Sequence, residues 1–145
     1  MPIELPDDPA GMLALMRERA IIRSPFTAWL RIELMRCWQG EAELMMPVRA
    51  DLAQNGGLVH GGALATLADN ACCWAAASLA GPLVTANLTV HYLAPGRGDR
   101  IRALARTVRI GRRSGVALFD LHAEHGGVRT HVATGSATLS LIADR

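Results

Sequence analysis

Residues 63–80 set the tightest constraint on the fold. The segment is rich in Ala and Leu, and its apolar residues (Leu64, Leu67, Ala68, Ala71, Cys72, Trp74, Ala75, Leu79) surround a helix nearly on all sides. A helix without a polar face is buried on most of its surface. In a chain of 145 residues, one sizeable core has to enclose it. Gly81-Pro82 stops the helix. Four strand-like segments follow: residues 84–93, 101–110, 116–124 and 130–142. In the first, Val84, Ala86, Leu88, Val90 and Tyr92 alternate with Thr85, Asn87, Thr89 and His91. Turn clusters at residues 95–99 and 111–115 and at Gly126-Gly127 separate the segments.

Upstream, residues 1–9 are rich in Pro and Asp and read as loose. Asp8-Pro9 offers a helix start, with Pro at the first helical position. Met12, Leu13, Leu15, Met16 and Ala20 then give a short amphipathic helix to about Ile22, ended by Ser24-Pro25. Residues 29–38 and 41–48 resemble two strands of a hairpin around Gln39-Gly40. Helix, two strands, buried helix and four strands in succession predict an α+β fold: one domain over residues 1–145, with a curved antiparallel sheet of about six strands around the central helix.

Composition narrows the function classes. Half the residues are apolar and 19% are charged, as in a folded globular protein. The formal net charge is +2, too small to argue for nucleic acid. All 15 basic residues are Arg, and seven of them (Arg97, Arg100, Arg102, Arg106, Arg109, Arg112, Arg113) fall within residues 97–113. Guanidinium groups suit bidentate phosphate contacts, and Arg112 and Arg113, in a turn, are the best candidates. Cys37, Cys72 and Cys73 are an odd set with two adjacent members, which fits reduced thiols in a cytoplasm. Glu4, Asp7 and Asp8 interrupt any secretory leader pattern, and the most apolar run, residues 71–84, is short for a membrane span. His122 and His125 are three apart on one strand and so on opposite faces, while His131 belongs to another strand; with Cys72 and Cys73 this is not metal-ligand spacing.

The chemistry concentrates just before and inside the buried helix. In the run from Gln54 through Asn55, His60, Gly61 and Gly62 to Asp69, a glycine-rich loop opens the helix and one carboxylate sits about two turns in. A glycine loop at a helix start exposes backbone N–H groups suited to a developing oxyanion. An ionisable group in an apolar helix costs free energy unless it is used. Donors and acid together suggest hydrolysis at a carbonyl. His60 is a possible base, but a loop-ordering role through hydrogen bonds is the commoner one for such a residue. The His-Gly-Gly run is also shared with oxyanion loops of α/β-hydrolases, but this chain has no Gly-x-Ser-x-Gly and is short for that fold.

The pattern Gln54-x5-His60-Gly61-Gly62-x2-Ala65-x-Leu67-x-Asp69 resembles the hotdog-fold thioesterases, in particular the phenylacetate-pathway and 4-hydroxybenzoyl-CoA thioesterase group. The similarity extends through residues 84–95, ending in Tyr92-Leu93-Ala94-Pro95, and the Gly111-Arg112 turn, and it covers roughly residues 30–142. It implies a hotdog fold and metal-free, cofactor-free hydrolysis of acyl-CoA by a homodimer, often paired into a tetramer. By position, Asp69 matches the catalytic carboxylate and Gly61 the oxyanion donor. Gln54 matches a side chain near the thioester, and Thr85 a hydroxyl that in some members holds the attacking water. Where some members carry Thr or Ser one turn past the acid, this chain has Cys73. Asn55 and Gly62 fall in the same loop and are candidate substrate contacts. A non-catalytic acyl-CoA-binding module is the rival, and retention of Asp69 argues against it. A hotdog hydratase would need a different His and acid arrangement.

The spacing adds a constraint of its own. Eight residues on one helix span about 12 Å, whereas a carboxylate must come within about 3 Å of the atom it serves. Gly61 and Asp69 of one chain therefore do not easily reach one carbonyl. Two antiparallel helices related by a twofold axis would place Gly61 of one chain beside Asp69 of the other.

Overall fold

The computed structural model describes residues 3–142. Helix α1 spans Pro9–Met16, with Asp8 as its N-cap accepting the Gly11 N–H at 2.8 Å and Pro9 opening the first turn. A π-helical turn, Arg17–Ile22, continues it. Residues 3–8 carry no regular helix or strand, yet Leu5 packs against the core.

Pro25–Trp29 is a helix, α2, and not the start of the strand expected over residues 29–38. Ser24-Pro25 ends one helix and begins another, because the fixed φ of Pro suits a first helical position. Thr27 is buried and hydrogen-bonded to Ser24 (Oγ to Oγ1, 2.8 Å). Arg31, at φ 55°, turns the chain before strand β1, Glu33–Trp38. Gln39 and Gly40 both have positive φ (47° and 83°) and close the predicted hairpin onto β2, Glu41–Pro47, as a primed turn does. A short 3-10 turn, Ala50–Leu52, leads into the glycine loop.

Helix α3, Gly61–Ala80, is the expected buried helix. It is followed by β3 (Leu83–Tyr92), β4 (Arg100–Ile110), β5 (Ser114–His125) and β6 (Val128–Leu141). The six strands form one antiparallel sheet in the order β1-β2-β4-β5-β6-β3. Leu67, Ala68, Ala71, Cys72 and Ala75 of α3 are fully buried, as are Ile101, Ala103, Ala117, Phe119 and Leu121 on the inner face of β4 and β5. Small Ala residues on both surfaces bring helix and sheet close, and the large side chains fill the remaining space. At Gly135 in β6 a Cβ would collide with the Thr89 carbonyl and the Phe119 ring, so only glycine fits where β6 passes β3.

Two features of β3 decide the geometry that follows. It sits at the sheet edge, paired to β6 on one side only. Its register shifts between Thr85 and Asn87. The extra residue breaks the simple alternation expected from the sequence: Thr85, Leu88 and Val90 are the half-buried positions, whereas Val84 and Ala86 are exposed.

Candidate active site

The loop before α3 is held by backbone bonds. Gln54 N–H donates to the Leu58 carbonyl (2.8 Å), Gly57 N–H to the Gln54 carbonyl (3.2 Å), and His60 N–H to the Leu52 carbonyl (2.7 Å). Gly56 and Gly57, at φ 86° and 75°, supply the left-handed positions that the turn requires. Gln54 and Asn55 are exposed on this loop.

His60 is the N-cap of α3, its Nδ1 accepting the Gly62 N–H at 2.9 Å. With Nδ1 accepting, the ring proton of the neutral form belongs on Nε2. His60 and Gly62 therefore satisfy each other, and the Gly61 N–H is left without a protein partner among the described residues. The Gly61 carbonyl accepts the Tyr92 hydroxyl at 2.7 Å, and a Cβ at Gly61 would lie 3.2 Å from the Tyr92 ring. A cavity of about 450 Å³ opens here, lined by Gln54, Leu58, Gly61, Leu64, Tyr92 and Pro95 among others. Sequence reasoning did not single out Tyr92 as a site residue. Its position at the end of a strand, where the apolar alternation stops, was the available signal.

Asp69 lies two turns further along α3, half-buried, and accepts the Thr85 hydroxyl at Oδ1 (2.5 Å). One hydroxyl thus fixes the carboxylate's orientation while Oδ2 keeps its lone pairs. Cys73, one turn on, approaches the Leu83 carbonyl at 3.6 Å. Burial, and next the Asp69 carboxylate, push the Cys73 thiol up to about 11. Cys72 rises to about 12 for the same reasons, with a further contribution from Cys73. Both remain thiols at neutral pH and make poor nucleophiles.

The predicted residues therefore fall into two groups. Gln54, Asn55, His60, Gly61 and Gly62 gather at the N-terminal end of α3. Asp69, Cys73 and Thr85 gather further along it, both groups against β3. The eight-residue separation on one continuous helix, about 12 Å, keeps them apart within the protomer. Arg112 and Arg113 are exposed in the β4–β5 turn. That turn belongs to the Asp69 end, because Thr85 pairs with Leu139, which pairs with Gly115.

His122 and His131, on neighbouring strands, stack with centroids 4.8 Å apart, and His131 Nε2 lies 2.7 Å from Asp120 Oδ1. No group of three or more His, Cys, Asp and Glu side chains is arranged to hold a metal among the described residues. Among those residues, no helix is long and apolar enough to cross a membrane.

A family model described as the Thioesterase superfamily matches residues 56–130. The medium/long-chain acyl-CoA thioesterase YigI of Escherichia coli is 28% identical over 144 residues, covering 87% of this chain and 91% of that protein. A Halobacterium salinarum protein that carries an esterase name is 39% identical over 98 residues, and that match spans 62% of this chain and 64% of the relative. Among solved structures, a thioesterase family protein from Silicibacter pomeroyi superposes with a TM-score of 0.84 at 32% identity, covering 88% of this chain and 96% of the other. The PaaI protein from the phenylacetic acid degradation operon of E. coli does so at 0.78 and 26%, covering 90% and 94%.

Proposed function

Because this chain belongs to the thioesterase superfamily, we propose that it hydrolyses an acyl-CoA thioester to a carboxylic acid and coenzyme A. The observation that carries this is the pairing of an oriented carboxylate, Asp69 held by Thr85, with a free backbone donor at Gly61 on the same helix. The Gly61 N–H, reinforced by about half a positive charge at the helix N-terminus, would polarise the thioester carbonyl. Asp69 then acts in one of two ways. It attacks the carbonyl carbon, expelling the CoA thiolate and leaving an anhydride that water opens. Alternatively, it takes a proton from a water that attacks directly. Thiolate leaves readily, so no strong acid is needed. His60 orders the donor loop, and Gln54, Asn55 and Gly62 lie where the thioester and its pantetheine arm would pass. Arg112 and Arg113, exposed in the β4–β5 turn, would meet the CoA phosphates. The acyl group is of medium to long chain, by analogy with the YigI relative.

The roughly 12 Å between donor and acid calls for two chains. The unpaired edge of β3 is the surface that favours this, since an uncovered edge strand presents a row of free N–H and C=O groups to a second copy. Antiparallel pairing of two such edges brings the Gly61 end of one protomer to the Asp69 end of the other and makes two composite sites per homodimer. Dimers can pair further into a tetramer. The free thiols Cys37, Cys72 and Cys73 suit a reducing compartment and a cytoplasmic location.

The test is subunit mixing. Asp69→Asn and Gly61→Pro homodimers should each release little thiol from acyl-CoA. Co-refolded together, they should regain activity, because a heterodimer carries one site with both groups intact. Failure of the mixture to regain activity, with heterodimers demonstrably formed, would refute the composite site. Tight acyl-CoA binding with no thiol release by the unaltered protein would show a binding module in place of an enzyme.

A further inference from the structure

The Gly61–Gly62 peptide is gripped at both ends. Its N–H, carried by Gly62, donates to His60 Nδ1 at 2.9 Å, and its carbonyl, carried by Gly61, accepts the Tyr92 hydroxyl at 2.7 Å. The two grips come from different elements: His60 is the N-cap of α3, and Tyr92 is the last residue of the edge strand β3. Satisfying the carbonyl does not require the Tyr92 bond. Gly61 is the first residue of a 20-residue α-helix, so its C=O already faces the N–H four residues on. The ring also leans on Gly61 itself, since a Cβ there would lie 3.2 Å from both Cζ and the hydroxyl oxygen. Beyond Tyr92 the chain is pinned. Leu93 N–H donates to the Val132 carbonyl at 2.8 Å, and the Gly96 carbonyl accepts the Val59 N–H at 3.1 Å, which ties the strand end to the loop before His60. Tyr92 and Gly61 both border the cavity of about 450 Å³.

From this double grip we infer that Tyr92 is a positioning residue: with His60 it clamps the first peptide of α3 and so keeps the Gly61 N–H in the one direction that polarises the thioester carbonyl. The inference rests on the thioesterase function proposed above and adds a residue to it. Glycine has the widest choice of backbone angles, and helix ends fray. A donor at such a place needs an outside hold. The peptide that carries the Gly61 N–H ends in the His60 carbonyl, which accepts the Ala63 and Leu64 N–H groups at 2.9 and 3.2 Å. Those bonds last only while Gly61 keeps helical angles, and the clamped peptide on its other side sets those angles. A donor fixed in advance stabilises an oxyanion best, because nothing has to turn as charge develops. The hydroxyl proton is committed to the Gly61 carbonyl, so Tyr92 acts through the backbone and not on the substrate.

Infrared difference spectroscopy reads the donor directly. The probe is octanoyl-CoA, isotope-labelled at the thioester carbonyl and bound at saturation to the Asp69→Asn protein, which does not turn it over. The Gly61 hydrogen bond should move the carbonyl band below its frequency in free octanoyl-CoA. Tyr92→Phe on the same background removes the hydroxyl and keeps the ring, and it should restore most of that shift. With Asp69 present, Tyr92→Phe should lower kcat by roughly three- to tenfold, the range that one neutral hydrogen bond commands, with KM changed less than twofold. Adding His60→Ala should cost little beyond the larger single loss, because both side chains hold one peptide. Tyr92 is half-exposed, and circular dichroism and thermal melting should show the Tyr92→Phe protein folded. A shifted band that stays the same in Tyr92→Phe would overturn the role of Tyr92 and leave the Gly61 donor standing. An unshifted band in the Asp69→Asn protein would instead refute that donor, and the clamp with it.

Discussion

The N-terminal end of α3 and the stretch two turns further on meet opposite demands with the same helix. At the first, the candidate group is backbone. Gly61 carries no side chain, its neighbours Gly62 and His60 satisfy each other, and among the described residues the Gly61 N–H is left over at the start of α3, beside a 450 Å³ cavity. At the second, the candidate group is the Asp69 side chain, half-buried and bonded by the Thr85 hydroxyl at 2.5 Å. The helix terminus stays unpaired because the first turn of any helix has surplus donors. A carboxylate inside the apolar stretch needs a partner brought from elsewhere in the fold. Each end would supply half of the proposed hydrolytic site, and about 12 Å of continuous helix separates the two within one chain.

Substitutions at the two ends should separate these contributions. The largest loss is expected for Asp69→Asn, which should lower kcat by roughly 10²- to 10⁴-fold in a thiol-release assay while acyl-CoA binding by calorimetry persists. Gly61→Pro removes the donor and should cost about 10²- to 10³-fold. His60 already has the ψ of 135° that a following Pro demands, and Pro suits a first helical position, so thermal melting should show a folded protein. Gly61→Ala keeps the N–H and should lose far less, limited to the crowding of its Cβ against Tyr92 at 3.2 Å. Equal losses in Pro and Ala would erase the distinction between backbone donor and side-chain space. Thr85→Val removes the hydroxyl that orients Asp69; a hydrogen bond to a charged group is worth about 1.5–3 kcal/mol, which predicts a roughly ten- to hundredfold lower kcat with KM little changed.

The smallest effect lies away from both ends, on the outer face of the sheet. Burial, then the neighbouring His131 and Arg129, lower the pKa of His122 against the opposing pull of Asp120 and Glu124. The Arg102 hydrogen bond holds Glu124 below its ordinary value as well. For both groups the unfolded chain takes up the proton first as pH falls. Stability is therefore full above the ordinary histidine range and declines on acidification, through His122 first and Glu124 later. Denaturant melts across that range should show His122→Gln flattening the first decline.

Local chemistry was legible residue by residue. Asp8-Pro9 caps α1, Gln39-Gly40 makes the primed turn, and the apolar run with Gly81 after it gives α3 its length, because caps, positive-φ turns and helix periodicity are decided by neighbours in sequence. The motif from Gln54 to Asp69 singled out both groups of candidate residues for the same reason. Local rules misjudged α2, where Ser24-Pro25 starts a helix as readily as it ends one. They also missed the bulge at Ala86, which sets the face of β3 that Thr85 occupies.

By itself, then, the chain pointed to the candidate residues and put the proposed donor and acid on one helix about 12 Å apart. Only the tertiary structure decided that β3 leaves its sequence neighbour β4 for β6 and an open edge, that Thr85 reaches Asp69, and that Tyr92 covers Gly61. Those pairings join residues from separate elements. They are set by how the sheet curls to bury an all-apolar helix, a property of the whole surface that no local run of residues encodes.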